Sequence, residues 1–313
     1  MGVPTDTFET YAQIGRREDL SDIIYDLSPI DTPFLSSIDS VDATATLHEW
    51  QTDALSAAAQ NFAIEGDDTA IDVAVPTVRL SNVCAISKKT PGVSGTAQAV
   101  AKAGRGDELE YQIYKRAREL KRDIELGLLA NNARVVASSG TAREPGGVPT
   151  WLTSNLSEGA GATTSTGLGT NQRTDGTNRS FTEAQLKTVL QGCWDNGGDP
   201  DTILLGSFNK QKASAFTGNA TREVGAEDKK LYASIDVYDS DFGELQIVPS
   251  RQIDDNYCFV LQMDMWAIAY LRPFQLLHLA KTGDNEKREI LAEYTLESRN
   301  ELGSGAVYDL TSS

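Results

Sequence analysis

The sequence predicts an α+β protein: an N-terminal arm, an extended β-hairpin, one long helix, an α/β lobe and a closing β-meander. Three observations carry this. Charge is segregated along the first 122 residues, a single strong helix signal starts at Asp107, and alternating apolar runs lie before and well after that helix. Residues 1–75 hold fifteen Asp or Glu and only two basic residues, Arg16 and Arg17. Residues 76–122 hold ten Lys or Arg against four acids.

Residues 1–45 read as an arm. Pro4, Pro29 and Pro33 interrupt them, and Leu20, Ile23, Ile24 and Leu27 have the spacing of a short amphipathic helix. That helix should stop at Ser28-Pro29, because a residue before proline is pushed out of the α region. An arm of this kind docks on a neighbour or on a distant part of its own subunit. The pairing expected from charge is with the basic face of the long helix.

Residues 46–90 read as the hairpin. Ile71, Val73 and Val75 alternate with Asp72 and Ala74, and Val78 and Leu80 alternate with Arg79 and Ser81. The span from Thr52 to Ala70 is polar. A two-stranded projection is not stable alone and needs a surface to lie on.

The long helix begins with Asp107 as N-cap and Glu110 three residues later, a capping-box spacing. Leu109, Ile113, Ala117, Leu120, Ile124 and Leu128 form one apolar stripe, while Lys115, Arg118 and Arg122 lie on another face. The helix is expected to run to about Val136, roughly 45 Å. Residues 137–180, rich in Gly, Ser and Thr, read as loop. Ser180 with Glu183 is the expected cap of a second helix through about Trp194. Asn196–Pro200 is a turn, Thr202–Leu205 a short buried strand, and Ser207 the expected cap of a third helix. With a strand near Leu245–Val248, these make an α/β lobe over 181–262. From about Met263 the alternation at 290–297 and the turns at 282–285 and 303–305 predict a three-stranded antiparallel meander packed on the long helix.

The chemistry of catalysis is hard to find in this chain. It has two histidines, His48 and His278, both in predicted strands, so a Ser-His-Asp triad has little to draw on. There is no GxSxG, no Walker A and no GxGxxG after a strand. The expectation is no enzyme and no cofactor. Cys84, Cys193 and Cys258 are far apart and read as free thiols of a reducing compartment. Two acidic clusters could bind a cation: Asp195, Asn196, Asp199 and Asp201 surround two glycines, and Asp236, Asp239 and Asp241 precede Gly243 like a calcium loop, but without the terminal bidentate Glu at the required offset. They read as solvated turn acids, and no metal is assigned. No apolar run reaches ~18 residues, so no membrane partner is expected. The N-terminus has neither the basic nor the apolar region of a secretory signal, so synthesis in a cytoplasm without processing is expected. A net charge of −17 opposes tight nucleic-acid binding, which needs a basic footprint.

Three stretches resemble a known family: GRREDLSDIIYDLSPIDTPFLSSI (15–38), HEWQTDAL (48–55) leading to EGDD (65–68), and AGRGDELEYQIYKRARELKRDIELGLLANN (103–132). They are similar to the arm, extended loop and spine helix of tailed-bacteriophage major capsid proteins with the Hong Kong 97 fold. The likeness spans most of residues 10–135, and beyond 180 it is one of architecture. It implies a structural subunit of hexamers and pentamers in an icosahedral head around double-stranded DNA, located in the virion. The implied division is an arm (1–45), an extended loop (46–90), a P-domain in two parts (91–180 with the spine at about 107–136, and 263–313) and an A-domain (181–262). The implied partners are the chain itself and portal, decoration or scaffolding proteins, with DNA nearby but not specifically bound. No crosslinking lysine or asparagine is carried over. The candidate subunit contacts are Arg16, Arg17, Ile23, Ile24, Leu27, Phe34, Lys115, Arg118 and Arg122. A tail-tube or decoration protein, and more remotely an acidic soluble hydrolase, are the alternatives.

Overall fold

The computed structural model describes residues 32–100, 106–216 and 236–312, less positions 57, 63, 67, 69, 70 and 72. The short amphipathic helix expected at 20–27 lies outside these residues.

The described chain opens with a helical turn, α1 (Pro33–Ser37), and strand β1 (Asp39–Asp42). A hairpin follows, β2 (Leu47–Thr52) against β3 (Val78–Val83), with Leu47 opposite Val83 and Thr52 opposite Val78. The strand expected at Ile71–Val75 is not among the assigned strands, and residues 53–77 carry no sheet pairing among the described positions. The register explains this. Pro76 cannot donate to the ladder, and continued outward the register would set Val73 and Ile71 opposite small Ala57 and Ala59, with Leu55 the one large residue facing the segment, at Val75.

Strands β4 (Ala85–Lys89) and β5 (Gly92–Ser94) and a turn of helix, α2 (Gly95–Ala99), lead to the long helix α3 (Glu108–Leu129). Asp107 caps α3 as expected, its Oδ1 accepting from the Leu109 and Glu110 amides at 2.7 and 3.1 Å. The helix stops seven residues short of Val136. Ala130 turns to an extended conformation (ψ 153°), and the chain returning at Gly147 lies so close that a Cβ there would stand 2.0 Å from the Ala130 carbonyl oxygen. This end is fixed by a distant segment, not by a local stop signal.

The α/β lobe has one six-stranded sheet in the order β6-β13-β10-β7-β9-β8. Its strands are β6 (Leu156–Ser157), β7 (Thr202–Leu205), β8 (Val237–Ser240), β9 (Gly243–Pro249), β10 (Cys258–Leu261) and β13 (Gly305–Val307). Helices α4 (Glu183–Asp195) and α5 (Ser207–Ser214) accompany it. The cap of α4 is Thr182, not Ser180: Thr182 and Gln185 form the reciprocal capping box. With the cap there, Phe181 and Leu186 become the pair flanking the first turn and are buried in one cluster. Likewise Gly206, not Ser207, is the cap position of α5.

The expected three-stranded meander is two long strands, β11 (Trp266–His278) and β12 (Asn285–Ser298). The third segment, β13, leaves for the lobe sheet, where it pairs with β10 and β6. The second sheet is completed from the front of the chain. β1 pairs in parallel with the first part of β11, and β4 and β5 pair with β12.

Alternation within the lobe sheet divides the core. Ile203, Leu205, Val260 and Val307 bury against Leu186, Val189 and Leu190 of α4. Leu204, Phe259, Leu261 and Tyr308, on the other face, join a larger cluster with Leu120, Ile124 and Leu128 of α3 and Ile268, Ala292 and Leu296 of the long strands. The stripe read from the sequence is therefore what ties α3 to both sheets.

Candidate assembly surface

The base of the projecting hairpin is pinned from four sides. Asn82 is fully buried. Its Oδ1 accepts from the Gly146 and Val83 amides, each at 2.9 Å, and its Nδ2 donates to Leu296 O at 2.8 Å and Gly146 O at 3.3 Å. Trp50 Nε1 donates to Ser298 O at 2.6 Å, and its ring lies 5.3 Å from that of Trp151. His48 Nε2 meets Glu297 Oε2 at 2.8 Å, and Arg134 donates to Ser81 O at 2.5 Å. The His48 hydrogen bond, reinforced by Arg299, holds the Glu297 carboxyl below its usual range against the pull of burial. These contacts fix where the hairpin leaves the body.

Beyond Thr52 the support ends. Leu55 is 100% exposed, Ile71 95%, Val73 89% and Phe62 88%. Several large apolar side chains left in water along one segment are unusual for a soluble protein and mark a surface meant to be covered. Each such side chain, once buried, contributes about 1.5–3 kcal/mol.

Buried positions concentrate in the rear half of α3, at Leu120, Ile124, Glu125, Leu128 and Leu129, with Leu109 alone in the front half. Lys115 is exposed, and Arg118 and Arg122 are half-buried. The Arg118 guanidinium lies 4.4 Å from the centre of the Tyr114 ring. Further along, Glu125 is fully buried and accepts from the amides of Phe34 at 3.2 Å and Leu35 at 2.9 Å. Burial pushes its carboxyl above the usual range, and the two amides and Ser250 oppose the shift.

Phe34, proposed from the sequence as a contact with a neighbour, belongs to the subunit's own core. It is fully buried and meets Trp266 edge-on, ring centres 6.4 Å apart. The Glu125 clamp turns it inward. Arg16, Arg17, Ile23, Ile24 and Leu27 lie outside the described residues.

The lobe adds an aromatic pair at its surface, Trp194 at the end of α4 and Phe242 in the β8–β9 turn, ring centres 5.4 Å apart and both exposed. Inside, Arg173 holds the 157–180 loop to the C-terminal segment. Its guanidinium reaches Asp309 at 3.0 Å and covers the Tyr308 ring at 4.0 Å. Burial pushes the Asp309 carboxyl up, but the Gly159 and Gly176 amides and Arg173 outweigh it and hold it low. Sequence reading missed Asn82, Glu125 and Arg173, because the partners that decide their roles are distant: Leu296 lies 214 residues from Asn82, Phe34 91 from Glu125 and Asp309 136 from Arg173. Trp194 was legible only as a large aromatic at a helix end.

The acidic turns do not assemble a ligand set: among the described residues no three His, Cys, Asp or Glu side chains gather as metal ligands. Asp236 is paired with Lys210 at 3.2 Å, and Asp201 accepts from the Met263 amide. The three cysteines are buried, and burial raises the thiols of Cys84 and Cys193 to about 11 and 12. No described helix is long and apolar enough to cross a membrane.

A pinned hairpin that projects without packing, a spine helix joining two sheets, and a lobe with exposed aromatics define a shell-forming subunit of the Hong Kong 97 type. The fold is shared with the Cyanophage A-1(L) capsid asymmetric unit (TM-score 0.70, 15% identity, 97% of this chain and 98% of that one). It is also shared with the capsid of a native GTA particle (TM-score 0.68, 11% identity, 96% and 98%). The chain belongs to the SU10 major capsid protein family, whose model matches residues 3–311. It is 29% identical to the major capsid protein of Escherichia phage Phieco32 over 98% of both chains. It is thus a phage major capsid protein, part of the virion.

Proposed function

We propose that the chain assembles into hexamers and pentamers of an icosahedral head that encloses double-stranded DNA. The observation that carries this reading is the hairpin, rigidly rooted at Asn82 yet bare of packing at the described positions of 53–77, where Leu55, Ile71 and Val73 stand in water. Such a segment gains its stability from a neighbour. In this reading residues 1–45 are the arm, 46–90 the extended loop and 181–262 the A-domain at capsomer axes. Residues 91–180 and 263–313 form the P-domain.

The acidic arm meets the basic face of a neighbouring spine helix at Lys115, Arg118 and Arg122. Exposed ion pairs contribute at most ~1 kcal/mol each, so the apolar residues of the loop and arm supply most of the contact energy. A chain with net charge −17 leaves packaged DNA free to enter and leave, because it does not neutralise phosphates. Synthesis in the host cytoplasm and association with portal, scaffolding or decoration proteins complete the reading.

Electron microscopy of the expressed chain tests it. Closed shells of tens of nanometres are expected. Tubes, isolated trimers or a monomer stable under all assembly conditions would contradict it.

A further inference from the structure

Residues 305–310 stitch the two cores together. Ala306 and Tyr308 are fully buried in the cluster built on α3, and Val307 and Leu310 are fully buried in the cluster under α4. Strict alternation would put Leu310 beside Tyr308. Asp309 breaks the phase: it sits in the left-handed region (φ 59°), uncommon for a residue with a side chain, and Leu310 turns to the α4 side. β13, within this run, lies between β6 and β10, and β6 has no other sheet partner among the described residues.

The contacts that impose this conformation come from the segment after β6. The Asp309 carboxylate accepts from the Gly159 and Gly176 amides at 2.8 and 2.9 Å and from Arg173 Nη2 at 3.0 Å. The Asp309 carbonyl accepts from the Arg179 amide at 2.7 Å, the Thr311 amide donates to Arg179 O at 2.9 Å, and the Tyr308 amide donates to Ser157 O at 2.8 Å. Gly159 lies so close that a Cβ there would stand 2.9 Å from Asp309 Cβ. Residues 158–180 contain no helix and no strand, only single bridges of Thr163 with Thr174 and of Arg179 with Leu310. Their backbone is therefore ordered largely by what it holds. At the centre, the Arg173 side chain is 1% exposed and that of Asp309 0%. Two charges buried this deeply are stable only together, because either one alone keeps its desolvation cost without the attraction.

We infer that residues 305–311 are a latch: with Arg173 and Asp309 as its catch, they open and close together with residues 156–180 as one cooperative unit while α3 and the long strands stay folded, and the lobe is competent for assembly only with the latch closed. The body has its own ties, since α3 packs on β12 and β4, and β11 pairs with β12. The lobe depends on the latch. α4 rests on β13 and β6, so an open latch removes the floor beneath the helix whose end carries Trp194. A segment whose partners lie within one such unit opens below the global unfolding free energy. The assembly half of the inference rests on the shell reading above, and the opening itself does not.

Hydrogen exchange on soluble subunits of the parent chain, in urea below the unfolding transition, tests the opening. The amides of Gly159, Gly176, Arg179, Tyr308 and Thr311 should exchange through one common event, roughly tenfold or more faster than the amides of 120–129. Exchange of these five only together with 120–129, or through unrelated events, would overturn the latch. Asp309→Asn keeps the shape of the side chain and removes its charge. It should speed the same five amides roughly tenfold, leave 120–129 unchanged and lower particle yield several-fold in sedimentation. Equal acceleration at 120–129 would overturn separate opening, and normal particle yield with the five amides exposed would overturn the latch as a condition of assembly. A parent chain that forms no particles would sink the shell reading, and the exchange pattern would still decide the latch.

Discussion

Glu125, buried three-quarters of the way along the long helix, accepts the Leu35 amide at 2.9 Å and the Phe34 amide at 3.2 Å. One carboxylate thus fixes the point at which the front of the chain meets the spine. Replacing it by Ala leaves two buried amides without an acceptor, each costing about 1–3 kcal/mol, with relief of a buried charge offsetting part. Glu125→Ala should therefore lose on the order of 2 kcal/mol and speed hydrogen exchange at the Phe34 and Leu35 amides. Unchanged exchange at those two amides would show that the clamp does not hold the turn.

Asn82 plays the equivalent part for the hairpin, with four hydrogen bonds at a fully buried position. Asn82→Ala strands groups on Gly146, Val83 and Leu296, and should cost on the order of 3 kcal/mol in chemical denaturation. Limited proteolysis should then cut within 47–83 faster than in the parent chain.

The pH dependence of the hairpin base follows from Glu297. Its carboxyl is depressed from 4.5, first by the hydrogen bond from His48. A depressed acid contributes stability that is present above its unfolded pKa and lost as the pH falls through the folded one. The melting temperature of the parent should exceed that of Glu297→Gln at about pH 5, and the gap should close as the pH drops below about 4.5. A gap that persists undiminished through the acid range would contradict the assignment.

Arg118 and Arg122 occupy the half-buried basic face of the spine, next to exposed Lys115. Arg118→Glu with Arg122→Glu should leave the far-ultraviolet circular dichroism spectrum intact and reduce particle yield at least several-fold in sedimentation. Normal particles from this double variant would remove the arm–spine pairing.

The local features were legible where chemistry is local. Asp107 announces the start of α3, and the stripe from Leu109 to Leu128 announces the face that both sheets bury. Legibility failed where a distant segment decides. Gly147 ends the helix at Leu129, and β13 is drawn away from β12 to pair with β10. The alternation at Ile71–Val75 was real as a pattern, but its own hairpin does not pair it: Pro76 has no amide to donate, and the register sets small Ala57 and Ala59 opposite Val73 and Ile71. Phe34 shows the converse: an apolar residue next to a proline looks like a free anchor until a carboxylate 91 positions away captures its amide.

A cryo-electron microscopy map of assembled particles decides whether the loop over 53–77 is stabilised by a neighbour or by its own subunit. Continuous density is expected for each loop crossing onto an adjacent subunit, with Phe62, Ile71 and Val73 buried there. A map in which each loop folds back onto its own spine helix, in an intact shell, would contradict it.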